Sequence, residues 1–264
     1  MPVAEFRFYE ELNDFLPPQA RKTLILRSFN GTPSVKDTIE SCGVPHTEID
    51  LILVNGVSVG FDQRLTGGER VAVYPVFEGI DISPVTRLRD RPLRTPRFIV
   101  DANLGRLVRL LRLLGFDSRY DQQMDDAEIA GVAAADGLTV LTRDRGLLMR
   151  RAVTRGYFVR SQLPRTQAAE VLRRFDLTNQ VSTFTRCVDC NGIIHPVPKS
   201  AVSDQLPANT RQCYDSFFQC SACSKVFWKG AHWQNLLSLI RDIRVAAAPA
   251  AADTPDTADT TETV

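Results

Sequence analysis

The sequence has no long apolar run, no secretory leader and few cysteines. No stretch approaches ~18 consecutive apolar residues, which excludes a membrane-spanning helix. The first residues, MPVAEFRFYE, lack a basic segment followed by an apolar one, so we expect no secretion. Six cysteines in 264 residues are too few for a disulfide scaffold, and four of them form two C-x-x-C pairs. These absences predict a cytoplasmic protein with a metal site.

Lysine is absent from residues 81–180, where every basic side chain is an arginine. That segment has 18 basic and 12 acidic residues (net +6), and residues 181–244 have 7 and 4 (net +3). Residues 1–80 have 7 and 11, and the tail 245–264 has none and 4, so each carries −4. Arginine forms forked contacts with phosphate. Genomic base composition explains the choice of arginine equally well, but it does not explain the local excess of positive charge.

Residues 1–80 predict short strands and a single helix. Strands are expected over residues 3–9, 22–27, 51–54, 57–59 and 70–75, with turns at Asn30-Gly31 and Asn55-Gly56. A helix begins near Ser34. The order β-β-α-β-β-β predicts an α+β domain in which one helix covers a mixed sheet. Cys42 and His46 have no third catalytic group near them, so we interpret them as fold residues.

The segments 52–56 (ILVNG) and 68–75 (GERVAVYP) resemble ubiquitin-like β-grasp domains related to small sulfur-carrier proteins. Such carriers end in a free Gly-Gly tail, whereas this segment ends Glu78-Gly79-Ile80-Asp81 and the chain continues. The resemblance therefore implies a binding or docking module with a protein partner rather than a carrier.

Residues 97–180 alternate strands with helices, after a proline- and arginine-rich linker over residues 81–96. Five leucines and valines form one stripe over residues 104–114, and Gly115 ends that helix. Strands are expected over 97–100, 118–120, 138–142 and 157–160, with helices over 125–136, 146–152 and 166–175. This alternation predicts a parallel sheet with helices on both faces.

Carboxylates follow the ends of these strands. Asp101 and Asp144 each follow an apolar strand, and Asp125 and Asp126 begin the helix that precedes the strand of Asp144. Because the crevice of such sheets lies beyond the strand C-termini, these side chains can converge at one edge, where carboxylate oxygens suit Mg²⁺ or Mn²⁺. A bound ion would activate water for attack on a phosphodiester. Alternatively, Asp125 and Glu128 form a capping box, and an Asp after a strand is a turn residue.

Basic and aromatic side chains are candidates for RNA contacts. Arg106, Arg109 and Arg112 recur on the side opposite the leucine stripe, as either an RNA-binding row or an ordinary solvated face. Arg143 and Arg145 flank Asp144. In the segment 227–233, Trp228 and Lys229 can stack on and contact unpaired bases, or its aromatics can form a small core.

Three segments resemble the metal-binding segments of PIN-domain nucleases, namely 100–104 (VDANL), 125–130 (DDAEIA) and 141–145 (LTRDR). More closely, residues 101–116 resemble the Mut-seven C-terminal RNase domain, whose family often adds a ubiquitin-like domain and a Cys₄ ribbon. The resemblance implies a divalent-metal ribonuclease. Asp101, Asp126 and Asp144 would be its metal carboxylates, with Asn103 and Thr142 lining the site.

PIN domains carry a further acid on a helix between the first and third carboxylates. The helix after Asp101 has none, which implies weak metal binding or one ion instead of two.

Two cysteine pairs, Cys187/Cys190 and Cys220/Cys223, are separated by a 29-residue spacer. Four thiolates at such spacing predict one structural Zn²⁺ in a ribbon, closed to substrate. The spacer is long, so we expect a loop over residues 196–210. His195 and His232 are alternative ligands, although four cysteines suffice, and Cys213 is a spare.

The predicted domain order is a β-grasp domain (1–80), a linker (81–96), a PIN-like domain (97–180), a zinc ribbon with a helix over 236–245 (181–245), and a disordered acidic tail (246–264). The predicted function is metal-dependent RNA hydrolysis. Two alternatives are a non-catalytic RNA-binding or adaptor protein with a degenerate site, and a toxin-type RNase, although the extra domains do not fit a toxin.

Overall fold

A computed structural model describes residues 1–75, 85–88 and 96–248. Its N-terminal unit has the predicted element order. The elements are β1 (Val3–Phe8), β2 (Ile25–Ser28), α1 (Val35–Ser41), β3 (Ile49–Val54), β4 (Val57–Ser58) and β5 (Arg70–Pro75). The sheet order is β2-β1-β5-β3-β4, with β1 and β5 parallel and the other pairs antiparallel. This mixed sheet with one helix is the β-grasp arrangement that the sequence predicts.

Local sequence explains why these elements form. Alternation along β1 buries Ala4, Phe6 and Phe8, which pack with residues of α1 in one core. Ser34 caps α1 by accepting from the Asp37 N–H at 3.1 Å. The β3–β4 hairpin turns at Asn55-Gly56, where both residues have positive φ, as a two-residue type I′ turn requires.

The middle of the chain forms a four-stranded parallel sheet, as predicted. Its elements are β6 (Phe98–Val100), α2 (Gly105–Leu113), β7 (Ser118–Arg119), α3 (Asp126–Asp136), β8 (Thr139–Thr142), α4 (Arg145–Leu148), β9 (Gly156–Phe158) and α5 (Pro164–Arg174). The strand order is β7-β6-β8-β9. Phe98 and Val100 pack with α2 and α5, whereas Ile99 packs with α3 and α4. Successive residues of β6 therefore face two different helix layers, which accounts for its wholly apolar sequence.

The C-terminal unit is more structured than the sequence indicated. It contains β10 (Ile194–Val197), α6 (Lys199–Val202), α7 (Ala208–Cys213), β11 (Phe217–Cys220), β12 (Val226–Trp228) and α8 (Trp233–Ala247). The predicted loop over 196–210 is wrong, because Val202 and Leu206 pack with Phe217 in a small core. Packing against a distant strand gives these short helical turns a stability that local sequence does not reveal.

Helix α8 is longer than the predicted 236–245, and it packs back onto α5. Its Ile240 and Ile243 join the core of the parallel-sheet unit. Residues 249–264 of the expected disordered tail lie outside the described residues, as does most of the expected linker. Within that linker, Thr86 Oγ1 donates to the Asp50 carbonyl at 2.5 Å, and Leu88 packs on the N-terminal core. No helix in the described ranges is long and apolar enough to cross a membrane.

The β9 edge of the parallel sheet is covered by the N-terminal unit. Glu48, which is 1% exposed, accepts from the Phe158 N–H of β9 at 2.6 Å through Oε1. Its Oε2 pairs with Arg160 at 3.1 Å. His46 Nε2 donates to the Val153 carbonyl at 2.8 Å, so His46 is a fold residue that joins two units.

The β7 edge is covered by the C-terminal unit. Asn191 accepts from the Ser118 N–H of β7 at 3.1 Å through Oδ1, and its Nδ2 donates to Asp117 at 2.7 Å. Each edge strand thus uses a side-chain oxygen from a neighbouring unit to satisfy a backbone donor that no further strand would pair.

Candidate functional site

Asp101 lies at the end of the central strand β6 and is 9% exposed. Its Oδ2 accepts from Thr142 Oγ1 at 2.5 Å and from Asn103 Nδ2 at 2.8 Å. No hydrogen bond reaches Oδ1 from any residue that the structure describes. One carboxylate oxygen is therefore held by two donors, and the other remains available to a ligand.

Asp144 lies beside Asp101, because strands β6 and β8 are neighbours that end at the same edge. The Thr142 hydroxyl connects the two residues, since it donates to Asp101 and accepts from the Asp144 N–H at 2.9 Å. Asp144 caps the short helix α4 by accepting from the Gly146 N–H at 2.6 Å. The structure thus brings together Asp101, Asn103, Thr142 and Asp144 through hydrogen bonds, as the sequence predicted for this edge.

Two further residues support this edge, and sequence reasoning did not single them out. The Tyr120 hydroxyl, after β7, donates to the Ala102 carbonyl at 3.2 Å. Gly105 permits this approach, because a Cβ at position 105 would lie 2.7 Å from the Tyr120 oxygen. The only signal in the sequence was Gly105 at the start of a predicted helix, because glycine is less favourable in a helix than most residues.

The expectation that a third carboxylate converges on this edge is wrong for the described structure. Asp125 is the N-cap of α3 and forms the complete capping box with Glu128, which confirms the alternative interpretation. Asp126 pairs with Arg150 at 3.6 Å, with both side chains about two-fifths exposed. Within residues 1–75, 85–88 and 96–248, no Asp, Glu, His or Cys set other than the four cysteines has three ligand atoms close enough for one ion.

The predicted RNA-binding arginines divide into paired and unpaired groups. Arg106 on α2 is exposed, with no hydrogen-bonding partner among the described residues. Arg109 pairs with Asp189 of the first cysteine pair at 3.1 Å. Arg143 Nη1 donates to the carbonyls of residues 159, 160 and 161, so this guanidinium holds the chain after β9. Arg145 is exposed and contacts Phe15 of the N-terminal unit.

The regular spacing of the arginines on α2 predicted a solvent-exposed or RNA-binding face, but Arg112 is buried. It is 5% exposed, and it donates to the carbonyls of Ser118, Val188 and Asp189 at 2.9, 3.3 and 2.6 Å. Burial lowers the pKa of this guanidinium. Arg112 therefore ties α2 to the first cysteine pair and does not offer its charge to a nucleic acid.

The four cysteines form a compact cluster. The Sγ atoms of Cys187, Cys190, Cys220 and Cys223 all lie within 4.8 Å of one another. Cys187 and Cys223 are 3.7 Å apart, and Cys190 and Cys220 are 3.4 Å apart. Two thiolates bound tetrahedrally at ~2.3 Å from a zinc would be ~3.8 Å apart, so the spacing can accommodate such an ion. His195 and His232 are exposed and lie outside this group.

Each cysteine pair is followed by the same turn. Asn191 and Ser224 both have positive φ, and their N–H groups donate to Cys187 and Cys220 carbonyls at 2.9 and 3.1 Å. Gly192 lies against the second pair, where a Cβ would approach Cys220 Sγ to 2.6 Å. Burial raises the pKa of Cys220, but hydrogen bonds from the backbone N–H groups of Cys223 and Ala222 and from the Cys190 and Cys223 thiols together lower that pKa to about 7.

The aromatic segment after the second pair is partly core. Trp228 packs with Val202 and Phe217, which favours the core interpretation for that residue. Trp233 lies against Phe184 at 4.1 Å between ring centroids, and Lys229 Nζ lies 5.1 Å from the Trp233 ring. Lys229 is exposed and its charge remains accessible. Of the two other cysteines, Cys42 is buried beside α1 and Cys213 is exposed at the end of α7.

Comparison with known proteins agrees with this architecture. The family model of the Mut7-C RNAse domain matches residues 96–240, and that of Mut7-C ubiquitin matches residues 1–81. The curated proteins give no match. Two crystal structures of small archaeal modifier protein 1 from Haloferax volcanii are similar to part of the chain. They have 15% and 16% identity, cover 29% and 30% of this chain and 100% and 99% of their own, and have a TM-score of 0.24 each. Since the RNAse-domain match spans more than half of the 264 residues, the chain belongs to the Mut7-C RNAse domain family.

Proposed function

We propose that this protein is a ribonuclease that hydrolyses RNA phosphodiester bonds with a Mg²⁺ or Mn²⁺ ion held by Asp101 and Asp144. The observation that carries the proposal is the arrangement around Thr142, in which one hydroxyl contacts the Asp101 carboxylate and the Asp144 backbone. Carboxylate oxygens are the donors that these ions prefer, and both ions also retain waters and accept phosphate oxygens. Two carboxylates therefore suit one ion.

Each side chain has a distinct part in the proposed reaction. Asp101 would hold the ion through its Oδ1, while Thr142 and Asn103 donate to Oδ2 and restrain the carboxylate. Asp144 would hold the ion through the carboxylate oxygen that does not cap α4. When bound, the ion would activate water and stabilise charge on the phosphate. Asp126, paired with Arg150, is assigned no ligand role in this arrangement.

Exposed positive side chains of the chain would hold the rest of the RNA. Arg106, Arg145 and Lys229 are exposed, with no carboxylate at ion-pair distance among the described residues. Unpaired cations of this kind supply the salt-dependent part of RNA affinity. Arg109 and Arg143 are already engaged by protein groups, and Trp228 is half-buried, so the proposed surface does not include them.

We also propose that the four cysteines bind one structural Zn²⁺. The donor set is all thiolate and the sulfur spacing is close to tetrahedral. Four protein ligands close the coordination sphere, so the ion would stabilise the fold and not react.

A non-catalytic RNA-binding or adaptor protein is the second candidate. The observation that favours it is the separation of Asp126 from the other two carboxylates, which leaves no group of three ligands at the edge in the described residues. Cleavage assays distinguish the two functions directly.

The test is cleavage of RNA by the purified full chain with Mn²⁺. Asp101→Asn and Asp144→Asn should each lower the rate at least about 100-fold, because even the indirect partners of metal ligands are worth 10–100-fold. Asp176→Asn is the matched control, since Asp176 is exposed at a positive φ that asparagine also tolerates. Equal cleavage by the wild type and Asp144→Asn would contradict the role given to Asp144. No cleavage of any RNA would contradict the proposal and favour the adaptor.

A further inference from the structure

Phe15 of the N-terminal unit is a contact point between two units. It ends a short 3₁₀ helix (Glu10–Phe15) and is 3% exposed. Its ring meets Phe158 of β9 edge to face, with 5.4 Å between centroids. The guanidinium carbons of Arg145 and Arg160 lie 5.4 and 5.3 Å from the same ring. One aromatic ring thus contacts two cations of the parallel-sheet unit, within the range of cation–π interactions.

The two arginines differ in how their charges are compensated. Arg160 pairs with Glu48 and with Asp14, at 3.1 Å each, so its charge is neutralised within the protein. Arg145 donates one hydrogen bond, from Nη1 to the Phe15 carbonyl at 2.9 Å. Among the residues described, no carboxylate lies at ion-pair distance from Arg145. Arg145 is exposed and directly follows Asp144.

The contact with Phe15 therefore orients a cation without neutralising it. A guanidinium has five N–H donors in a planar fork, and one carbonyl occupies only part of this capacity. Arg160 with its two carboxylates already supplies a charged contact between the units. The unneutralised guanidinium of Arg145, the residue after Asp144, has the chemistry of a phosphate-binding group whose rotamer is set in advance.

We propose that the N-terminal β-grasp domain positions Arg145 to bind a backbone phosphate of RNA next to the Asp101–Asp144 edge, and that Phe15 is the positioning residue. The inference rests on the proposed function for the identity of the ligand. It gives the β-grasp domain a role in RNA binding, because its Phe15 would orient an RNA-binding side chain of the neighbouring parallel-sheet unit.

The experiment measures binding, so that it does not depend on cleavage. A fluorescent single-stranded oligouridylate would be titrated by anisotropy into the full chain carrying Asp144→Asn, without added divalent metal, at several salt concentrations. Arg145→Ala should raise Kd about tenfold, the scale of one charge-assisted hydrogen bond. It should also reduce the slope of log K against log salt by about 0.7, the value for one phosphate contact with a single strand.

Phe15→Leu separates positioning from simple folding. The variant keeps apolar packing and the backbone carbonyl but loses the ring face, so we expect Kd to rise about threefold. In an Arg145→Ala background the same change should have no further effect, because the cation that it orients is absent. Arg151→Ala removes an exposed arginine of the same unit, and it should change Kd by less than about twofold.

Two results would overturn the inference. One is an unchanged salt slope in Arg145→Ala, and the other is a Phe15→Leu effect that persists undiminished when Arg145 is absent. Thermal unfolding of each variant identifies loss of fold, and if Phe15→Leu unfolds, the exposed Arg145→Ala alone decides. Failure of the wild type to cleave RNA would refute the proposed function, but would leave these binding results to be judged separately.

Discussion

The two edges of the parallel sheet are covered in the same manner but with different chemistry. At β9 the acceptor is the buried carboxylate of Glu48, whose charge is matched by Arg160. At β7 the acceptor is the neutral amide of Asn191, which sits on the turn after a cysteine pair. The β9 edge therefore depends on an ion pair held by an apolar core. The β7 edge depends on a turn whose shape the cysteine site defines.

This difference has energetic consequences. Burial lowers the pKa of Arg160, but Glu48, Tyr157 and Asp14 together outweigh burial and raise it overall, so the arginine stays charged. Removing one member of a buried pair leaves the other uncompensated, which is costly. At β7 the side chain of Asn191 neutralises no buried charge. Its loss would remove only the hydrogen bonds to the Ser118 N–H and to Asp117.

The largest expected effect comes from breaking the cysteine site. Elemental analysis should find about one zinc per chain in the wild type and none in the double variant Cys187→Ser/Cys220→Ser. Structural zinc contributes about 10–16 kcal/mol of binding free energy to small domains, so the ribbon should unfold. Hydrogen exchange should accelerate at the Ser118 amide on β7 and remain slow at the Phe158 amide on β9.

Cys213→Ser is the control for this variant, because Cys213 is exposed and outside the cluster. A wild type that is folded and free of metal would contradict the zinc assignment. Acceleration at both edge amides would contradict the independence of the two edges.

The next largest effect should follow from Glu48→Ala. The substitution leaves Arg160 without its buried partner and the Phe158 N–H without an acceptor, so the free energy of unfolding should fall by about 3–5 kcal/mol. Urea denaturation measures it. Glu5→Ala removes the exposed partner of Arg70 and should cost less than about 1 kcal/mol. If both variants lose similar free energy of unfolding, the buried ion pair at the β9 edge is no more stabilising than an exposed pair.

The smallest effect is expected for Asn191→Gly. Glycine adopts the positive φ of this turn readily, so the change removes only the bonds to Ser118 and Asp117, worth about 1 kcal/mol in the free energy of unfolding. Ser224→Gly, at the equivalent turn of the second pair, is the matched control and should be nearly neutral. Equal effects on urea denaturation would show that turn conformation, and not the contact with β7, explains the loss.

Features that depend on neighbouring residues were predictable. The alternation of β1, the Asp125–Glu128 capping box and the two C-x-x-C pairs each involve residues only a few positions apart. Strand ends of a parallel sheet also meet by a general rule, which is why Asp101 and Asp144 were expected at one edge. These expectations needed no knowledge of which units touch.

Features that depend on distant partners were not predictable. Arg109 and Arg112 belong to one regularly spaced row on α2, yet their surroundings differ. Arg109 pairs with Asp189 at the surface, whereas Arg112 is buried and donates to the Val188 and Asp189 carbonyls. Asp126 was expected at the carboxylate edge, but Arg150 pairs with it instead. Residues 196–210 are helical in part because Phe217 offers them an apolar surface.

The sequence by itself determined the order of the strands and helices in residues 1–75 and 97–175, the strand-end position of Asp101 and Asp144, and the grouping of four cysteines. It could do so because periodicity, capping and ligand spacing are short-range properties of the chain. Only the tertiary structure decided which charges are compensated. It buried Glu48 against Arg160 and placed Arg145 on Phe15, with no carboxylate of the described residues at ion-pair distance. The partners of these charges come from residues more than a hundred positions away in the sequence.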